Sequence, residues 1–307
     1  MVSVPALLSS ELVCTSAAHD LWLKRLEPTP SELWAQLMRF APLMPEERHA
    51  MLSGIETLLE RACSLVVRIY DHLRRVPETA AILGWEQGVD EAHLAERRRF
   101  FAVWLARTLA VDTSGAFAEY LFHAGKSHAG LGPRRIHTPE VYVVSSMGWV
   151  LSAFAQYLAE AGLDANTLAQ AISGWSKYLD MQLSLMLFGY RQGRALVEGE
   201  AAVSLQLYGR VRQLVGKAEL KFLLRMPATL EEALTRFFNA FPETRADALE
   251  RSWVSEETEA LWTVPQAWYR LRKGWRVLVN GRDASYTEGL AHPLRAGDVI
   301  ALFPPGR

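Results

Sequence analysis

The hydrophobic pattern of this 307-residue chain changes its period once, close to residue 200. From about Ser31 to Arg194 apolar residues return every three or four positions and β-branched runs are scarce, which predicts helices. A short bridge of small and polar residues follows, and from Val203 to Tyr208 apolar and polar residues alternate, which predicts a strand. The sequence therefore predicts an all-α domain followed by an α+β domain.

The domain boundaries follow from this change of period. Proline and glycine divide the all-α domain into six or seven helices. One of them is expected to have Thr138 as its N-cap and Pro139 as its first helical residue. The predicted parts are an N-terminal tail over residues 1–28, the all-α domain over 29–195, a linker over 196–202 and the α+β domain over 203–307.

The α+β domain carries the signals of a small sheet with one helix. A second strand is predicted over 218–226, and Thr229 caps an amphipathic helix that follows it. Residues 276–279 predict a strand that ends in Asn280-Gly281, the strongest short hairpin signal. Residues 298–303 predict the last strand, so the order is hairpin, helix and two more strands.

Composition and charge narrow the class of protein. Half of the residues are hydrophobic and 22% are charged, which excludes a disordered chain. Lys and Arg number 33 against 34 Asp and Glu, so no overall positive field attracts nucleic acid, and we expect no such partner. Cys14 and Cys63 are too few for a disulfide framework, and the first residues lack a basic n-region. These features predict a cytoplasmic chain with reduced thiols.

One segment is long and apolar enough to be considered as a membrane-spanning helix. Between Glu140 and Glu160 lie 19 uncharged residues, close to the roughly 20 that span a bilayer. Serines and a glutamine dilute this segment, and its flanks are acidic where a membrane helix carries Lys and Arg. We therefore expect a buried helix and no membrane partner.

Two histidines lie near the end of one predicted apolar helix. His123 and His128 are five residues apart, so on a helix they point about 140° away from each other and cannot share a metal. His128 is followed by Ala129-Gly130-Leu131-Gly132-Pro133, where missing side chains let a flat group approach the backbone. This arrangement suits one axial ligand, although the residues alone favour a structural histidine.

Four stretches in the helical half are Phe40–Glu47, Val67–Leu73, Gly125–Pro133 and Leu179–Tyr190. In this order they resemble segments of the heme-binding globins of the globin-coupled sensor and protoglobin group. The third contains the Gly-x-x-His-x-x-x-Gly pattern of the family's proximal segment. The resemblance covers residues 40–193 and implies an all-α globin fold of the globin-coupled-sensor type, with heme b as its cofactor.

The same resemblance implies roles for individual residues. His128 becomes the proximal iron ligand, and its other ring nitrogen is held by a backbone carbonyl. Tyr70 lies on the opposite face, where its phenol donates a hydrogen bond to bound dioxygen. The distal helix departs from the family because it is unusually bulky. The predicted cofactor-binding residues are His128, Tyr70, Phe100, Phe101, Trp104 and Met147, with His128 as the metal ligand.

Other residues near the predicted site are expected to have structural roles. Arg97, Arg98 and Arg99 point around their helix, so at most one or two can face the pocket and pair with a heme propionate. We interpret the run as a solvated face. Trp149 is expected in the core or the pocket wall, and Cys63 in buried packing.

The α+β half carries a second resemblance over Leu207–Leu214, Thr229–Leu234, Val279–Gly281 and Pro293–Pro305. These stretches resemble the ubiquitin-like β-grasp sulfur carriers of molybdopterin and thiamine synthesis, with Leu207–Leu214 on the first strand. Such carriers act through a free Gly-Gly tail. The printed sequence ends in Pro-Pro-Gly306-Arg307, which argues against sulfur transfer.

A Trp-rich insertion over residues 242–275 separates the predicted helix from the Asn280 hairpin. It contains four of the ten tryptophans: Trp253, Trp262, Trp268 and Trp275. Aromatic residues at this density either complete a local core or form a docking face for the globin half or another protein.

These observations lead to one main hypothesis and three others. The main one is a heme-based sensor or binder of dioxygen or another diatomic gas, whose β-grasp domain is a protein-interaction output. The last two globin helices are expected to form a homodimer interface. The others are a non-heme adaptor whose pocket is filled by Phe100, Phe101 and Trp104, an accessory protein of molybdenum-cofactor or sulfur metabolism, and a heme enzyme such as a nitric oxide dioxygenase. No catalytic residue is predicted, and an enzyme is the less favoured reading.

Overall fold

The computed structural model describes residues 21–24, 26–257 and 263–306 and divides the chain into two compact units. The helical unit is Pro28–Ala195. The sheet unit is formed by the chain on both sides of it, up to Glu27 and from Leu196 onward. Cys14, Trp262 and Arg307 lie outside the described residues.

The helical unit contains eight α-helices within the described residues, more than the six or seven expected. Prolines begin three of them, and Gly54 alone separates two that the sequence reads as one. The helices are α1 Pro30–Phe40, α2 Pro45–Ser53, α3 Ile55–Leu73, α4 Pro77–Leu83, α5 Glu91–Leu109, α6 Gly115–His128, α7 Glu140–Glu160 and α8 Ala165–Ala195.

Helix α7 begins one residue later than predicted, with Pro139 as its N-cap. The prediction of Thr138 as N-cap was wrong: the Tyr142 N–H donates to the carbonyl of Pro139, and the Thr138 N–H donates outside the helix, to the carbonyl of His128 at 2.8 Å. By length and composition α7 is apolar enough to cross a bilayer. One face of it is nevertheless buried in the helical unit, through Val143, Met147, Val150, Phe154 and Leu158.

Helices α6 and α8 approach each other so closely that two positions admit only glycine. A Cβ atom at Gly125 would lie 1.9 Å from the carbonyl oxygen of Met186, and one at Gly189 would lie 2.0 Å from that of Phe122. Fully buried Leu121 and Leu185 belong to the same core. This backbone contact fixes the position of α6, which ends at His128.

The sheet unit contains a five-stranded mixed sheet. Its strands lie in the order β3 (Glu219–Leu224), β2 (Ala201–Leu207), β10 (Val299–Phe303), β7 (Arg276–Val279) and β8 (Arg282–Asp283), and only β2 and β10 are parallel. The amphipathic helix α10 buries Leu234, Phe237 and Phe238. The elements of the unit are β1 Trp22–Leu23, β2 Ala201–Leu207, α9 Gly209–Val215, β3 Glu219–Leu224, β4 Ala228–Thr229, α10 Leu230–Ala240, α11 Arg245–Ala248, β5 Leu249–Glu257, β6 Thr263–Leu271, β7 Arg276–Val279, β8 Arg282–Asp283, β9 Pro293–Leu294 and β10 Val299–Phe303.

Two predictions from the local sequence of this unit are confirmed, and one is wrong. Thr229 accepts a hydrogen bond from the Glu232 N–H, as expected of a helix cap. Asn280 and Gly281 have φ values of 50° and 81°, the positive pair that a two-residue hairpin requires. The assignment of residues 207–214 to the first strand was wrong: Gly209, with a φ of 55°, turns the chain into α9.

The predicted N-terminal tail and linker contribute to the sheet unit. Strand β1 pairs with β6, and Leu23 is only 2% exposed. Beyond β1, the Glu27 N–H donates to Asn239 and its carbonyl accepts from Arg245. In the predicted linker Leu196 is buried and accepts a hydrogen bond from Leu223, and β2 begins at Ala201. Pairing partners this far apart in the chain leave no local signal.

The Trp-rich insertion folds largely as the hairpin of β5 and β6, which with β1 makes a three-stranded sheet. Trp268 packs edge-on against Trp22 with ring centroids 6.0 Å apart. The Lys24 ammonium lies 4.5 Å from the centroid of the Trp268 ring. Trp253 is 67% exposed, so the tryptophans do not all serve one buried cluster.

Candidate functional site

A cavity of about 380 Å³ lies inside the helical unit, within the size range of small-molecule sites. Helices α3 to α8 and the loop after α6 contribute to its wall. Every residue predicted to bind a cofactor lines it, namely His128, Tyr70, Phe100, Phe101, Trp104 and Met147. The structure thus brings together residues that are up to 77 positions apart in the chain, from Tyr70 to Met147.

His128 is the last residue of α6, and one hydrogen bond orients its ring. Nδ1 lies 2.9 Å from the carbonyl oxygen of Ala124, one turn earlier. A carbonyl oxygen only accepts, so Nδ1 carries the proton and Nε2 keeps its lone pair. Burial lowers the pKa of His128, the charge of Arg97 lowers it further, and the Ala124 hydrogen bond opposes both. His128 is half-buried and lines the cavity.

The loop after His128 is tied back to the end of α6. The Thr138 N–H donates to the His128 carbonyl, and Ala129 pairs with His137 in an isolated β-bridge. Nε2 of His137 lies 2.7 Å from the hydroxyl oxygen of Tyr190 on α8. These contacts therefore tie the loop both to the end of α6, at His128, and to α8.

Tyr70 projects from α3 with 8% of its surface exposed. Its hydroxyl donates to the carbonyl of Arg97 on α5 at 3.0 Å. Burial raises the pKa of Tyr70 to about 12, while the charges of Arg97 and Arg98 oppose that rise. The phenol is therefore protonated at neutral pH, and in this structure its proton is engaged by the protein backbone.

The bulky residues of α5 form a wall and leave the cavity open. Phe101 packs edge-on against Tyr70 and Trp104, with ring centroids 6.2 and 5.1 Å away. The Trp104 indole N–H donates to the buried side-chain oxygen of Gln182 at 2.8 Å. Phe100 is 52% exposed and lies at the rim. The three side chains line the space and do not fill it, contrary to the adaptor hypothesis.

The structure places three residues near the site differently from what the sequence predicts. Arg97 lines the cavity and is not part of a solvated face. Trp149 is 44% exposed and its ring lies 4.5 Å from that of His72, away from the cavity lining. Cys63 is exposed because it lies on the face of α3 opposite the buried Leu65 and Ile69.

Sequence reasoning considered His123 only as a partner of His128 in a shared metal site, and it did not consider His93. His123 also lines the cavity, and burial, followed by the charge of Lys126, lowers its pKa to about 4. His93 is 3% exposed and accepts from Arg97, a contact that the four-residue spacing on α5 would have suggested. Among the described residues no group of three His, Cys, Asp or Glu can hold a metal ion.

The arrangement suits a flat and largely apolar ligand that contains a metal atom with a vacant axial position. The aromatic side chains give the cavity an apolar wall, His128 offers a single neutral nitrogen, and three arginines lie at the cavity: Arg97, Arg134 and Arg135. Heme has these properties, so the residues present fit it.

Comparison with known proteins separates the same two parts of the chain. The sequence profile of the Protoglobin family matches residues 31–195, and that of the ThiS family matches residues 205–306. These matches confirm a helical globin-like region followed by a β-grasp, ubiquitin-like domain. No curated protein sequence matches the chain.

Solved structures resemble one part of the chain at a time. The globin domain of the Geobacter sulfurreducens globin-coupled sensor is 21% identical, and the match covers 51% of this chain and 97% of that one with a TM-score of 0.41. SAMP1 from Haloferax volcanii is 22% identical over 34% of this chain and 96% of that one, with a TM-score of 0.25. The putative molybdopterin converting factor subunit 1 of Pyrococcus furiosus is 20% identical over 35% and 100%, with a TM-score of 0.24.

Proposed function

Since the chain belongs to the Protoglobin family over residues 31–195, we propose that it binds heme b in the helical unit and senses or binds dioxygen or another diatomic gas. The observation that carries this proposal is His128, which presents an unprotonated nitrogen at the wall of a cavity of about 380 Å³. The aromatic wall and the arginines at the cavity support it. The chemistry that a bound heme supplies is coordination of the gas at iron.

Each cavity residue has a part in this function. His128 would hold the iron through Nε2, with its ring orientation fixed by Ala124. Phe101 and Trp104 would form an apolar wall beside the bound gas. Tyr70 would donate to the bound gas only after its hydroxyl turns away from the Arg97 carbonyl.

The ThiS-family domain is proposed as a protein-interaction output of a cytoplasmic homodimer. Cβ atoms at Gly209 and Gly274 would lie 2.9 and 2.8 Å from Pro304 and Pro305, so these residues pack onto the sheet unit. Phe303 stacks on Tyr208 with ring centroids 4.1 Å apart. The exposed apolar residues on α7, Val141, Val144 and Trp149, support the dimer proposal.

Absorption spectroscopy of the purified full chain tests the heme proposal. We expect a Soret band after reconstitution with hemin, a spectral shift on reduction under carbon monoxide, and loss of the band in His128→Ala. His123→Ala is the matched control, because that histidine lines the same cavity and is expected to leave the band intact. A wild-type protein that takes up no hemin, or a His128→Ala variant with an unchanged spectrum, contradicts the proposal.

A further inference from the structure

Three consecutive arginines on α5 have three different surroundings. Arg98 forms an ion pair with Asp71 at 3.3 Å. Arg99 is exposed and does not line the cavity. Arg97 is half-buried and lies at the cavity wall. The structure thus distinguishes residues that the sequence alone left equivalent.

The Arg97 side chain is held in a fixed position. Its Nε donates to Nε2 of His93, one turn earlier on α5, at 2.9 Å. Because Nε2 of His93 accepts this hydrogen bond, the ring is neutral, and its burial and the Arg97 charge both lower the His93 pKa. The Tyr70 hydroxyl fixes the Arg97 backbone through its carbonyl. A planar guanidinium held in advance in this way is suited to bidentate recognition of a carboxylate.

The charge of Arg97 has no carboxylate partner in the described part of the chain. Arg134, which also lines the cavity, pairs with Glu96 at 2.6 Å and lies 4.0 Å from Asp90. Arg135 is exposed at the cavity, where solvent screens its charge. Of these three arginines, Arg97 alone combines partial burial and a fixed side chain with no ion pair among the described residues. The pKa of neighbouring Glu96 is lowered by its hydrogen bond to Arg134 and also by the Arg97 charge, and Glu96 is paired with Arg134. A half-buried cation of this kind is stabilised by an anion.

We propose that Arg97 binds a carboxylate of the ligand in the cavity, and that His93 is the positioning residue that aims its guanidinium. This inference rests on the proposed function, because the carboxylate is then a heme propionate. A small anion bound at iron has the same charge chemistry, so the experiment separates the two sources.

Dissociation of hemin from the full-length protein, measured by transfer to an excess of a hemin-scavenging apoprotein, tests the contact. Hemin is compared with its dimethyl ester, which lacks both carboxylate charges. We expect Arg97→Gln to speed dissociation of hemin about tenfold, as for loss of a charge-assisted hydrogen bond. The same substitution is expected to change the rate for the dimethyl ester less than about twofold. Arg99→Gln is the matched control and leaves both rates unchanged.

His93 is tested with the same pair of ligands. His93→Leu removes the acceptor and is expected to reproduce the selective loss of hemin, whereas His93→Gln keeps an acceptor and restores most of the affinity. Thermal unfolding followed by circular dichroism shows whether each variant is folded. A His93→Leu effect of equal size on hemin and its ester indicates a merely structural role and overturns the positioning proposal.

Three outcomes overturn the Arg97 proposal, and they are distinguishable. An equal effect of Arg97→Gln on both ligands, or none on hemin, removes the carboxylate contact and leaves the heme proposal intact. A changed affinity of the ferric protein for azide, without discrimination between hemin and ester, assigns Arg97 to an anion at iron. A wild-type protein that binds no hemin rejects both proposals together.

Discussion

At the residue scale, one backbone contact decides which nitrogen of His128 is available. The Ala124 carbonyl accepts a hydrogen bond from the Nδ1–H group, and this carbonyl belongs to the preceding turn of α6 itself. The sequence motif was enough to identify His128 because a family pattern surrounds it. It was not enough to choose among Arg97, Arg98 and Arg99, because three consecutive arginines have no periodicity that marks the inward-facing one.

The Tyr70 hydroxyl is predicted to stabilise the heme-free protein. Tyr70→Phe leaves the Arg97 carbonyl without this donor, so the free energy of unfolding is expected to fall by about 1 kcal/mol. Urea unfolding of the full chain measures it. Tyr142→Phe is the control, since Tyr142 lines the same cavity and its hydroxyl has no hydrogen-bond partner among the described residues; it should change stability by less than about 0.5 kcal/mol. Equal losses in both variants would contradict the assignment.

The neutral His93 ring is predicted to make stability depend on pH. Its folded-state pKa lies below the ordinary value of 6.5, so the unfolded chain takes up the proton first. The free energy of unfolding should therefore decrease as the pH falls from about 6.5 toward the folded-state pKa. The charged groups that act on His93 are Arg97, Arg134, Glu96 and Asp90.

His93→Gln isolates this contribution from the other histidines. The difference in unfolding free energy between wild type and His93→Gln, measured by urea unfolding at several pH values, should shrink as the pH falls. A difference that stays constant from about pH 7.5 to pH 5 would show that His93 is not held neutral.

At the scale of elements, the helices follow the hydrophobic period, and their ends follow tertiary contacts. Proline occupies the first helical position of α1, α2 and α4, where it is a local start signal. The start of α7 lies one residue later than predicted, and the Thr138 N–H joins the loop to His128, a contact that no local pattern reveals. Cys63 was misassigned for a related reason: α3 buries one face, and a small apolar residue fits either face.

The contact between α6 and α8 is predicted to be intolerant of a single added methyl group. Gly189→Ala places a Cβ against the Phe122 carbonyl and is expected to lower the free energy of unfolding by about 1–3 kcal/mol. Gly148→Ala on α7 is the matched control, because nothing lies within 4 Å of its Cβ position. That control should stabilise the protein by roughly 0.5–1 kcal/mol through helix propensity. Urea unfolding followed at 222 nm measures both, and similar values for the two variants would show that the helices separate easily.

At the scale of the whole molecule, two family domains account for most of the chain. The change of hydrophobic period near residue 200 was sufficient to separate them, because helices and strands bury their apolar residues with different spacing. Strand β1 escaped prediction because it has two residues and its partner Arg270 lies at the far end of the chain. Hydrogen bonds to so distant a partner have no counterpart in the local sequence.

Removal of the segment before the helical unit is predicted to loosen the sheet unit. A variant that begins at residue 28 lacks β1, so the amide protons of β6 that face β1 are expected to exchange faster with solvent. A variant that begins at residue 21 keeps β1 and should exchange like the wild type. Hydrogen exchange read by mass spectrometry over residues 263–271 makes the comparison, and identical protection in both variants would mean that β1 adds nothing to the sheet.

The pairing of Trp22 with Arg270 also has a consequence for biosynthesis. Once β1 has been synthesised, its partner emerges 248 residues later, counting from 22 to 270. At ribosomal speeds of about 5–20 residues per second the delay is roughly 12 to 50 seconds. Every helix of the Protoglobin domain leaves the ribosome within that interval. The helical unit can therefore fold before β1 pairs with β6.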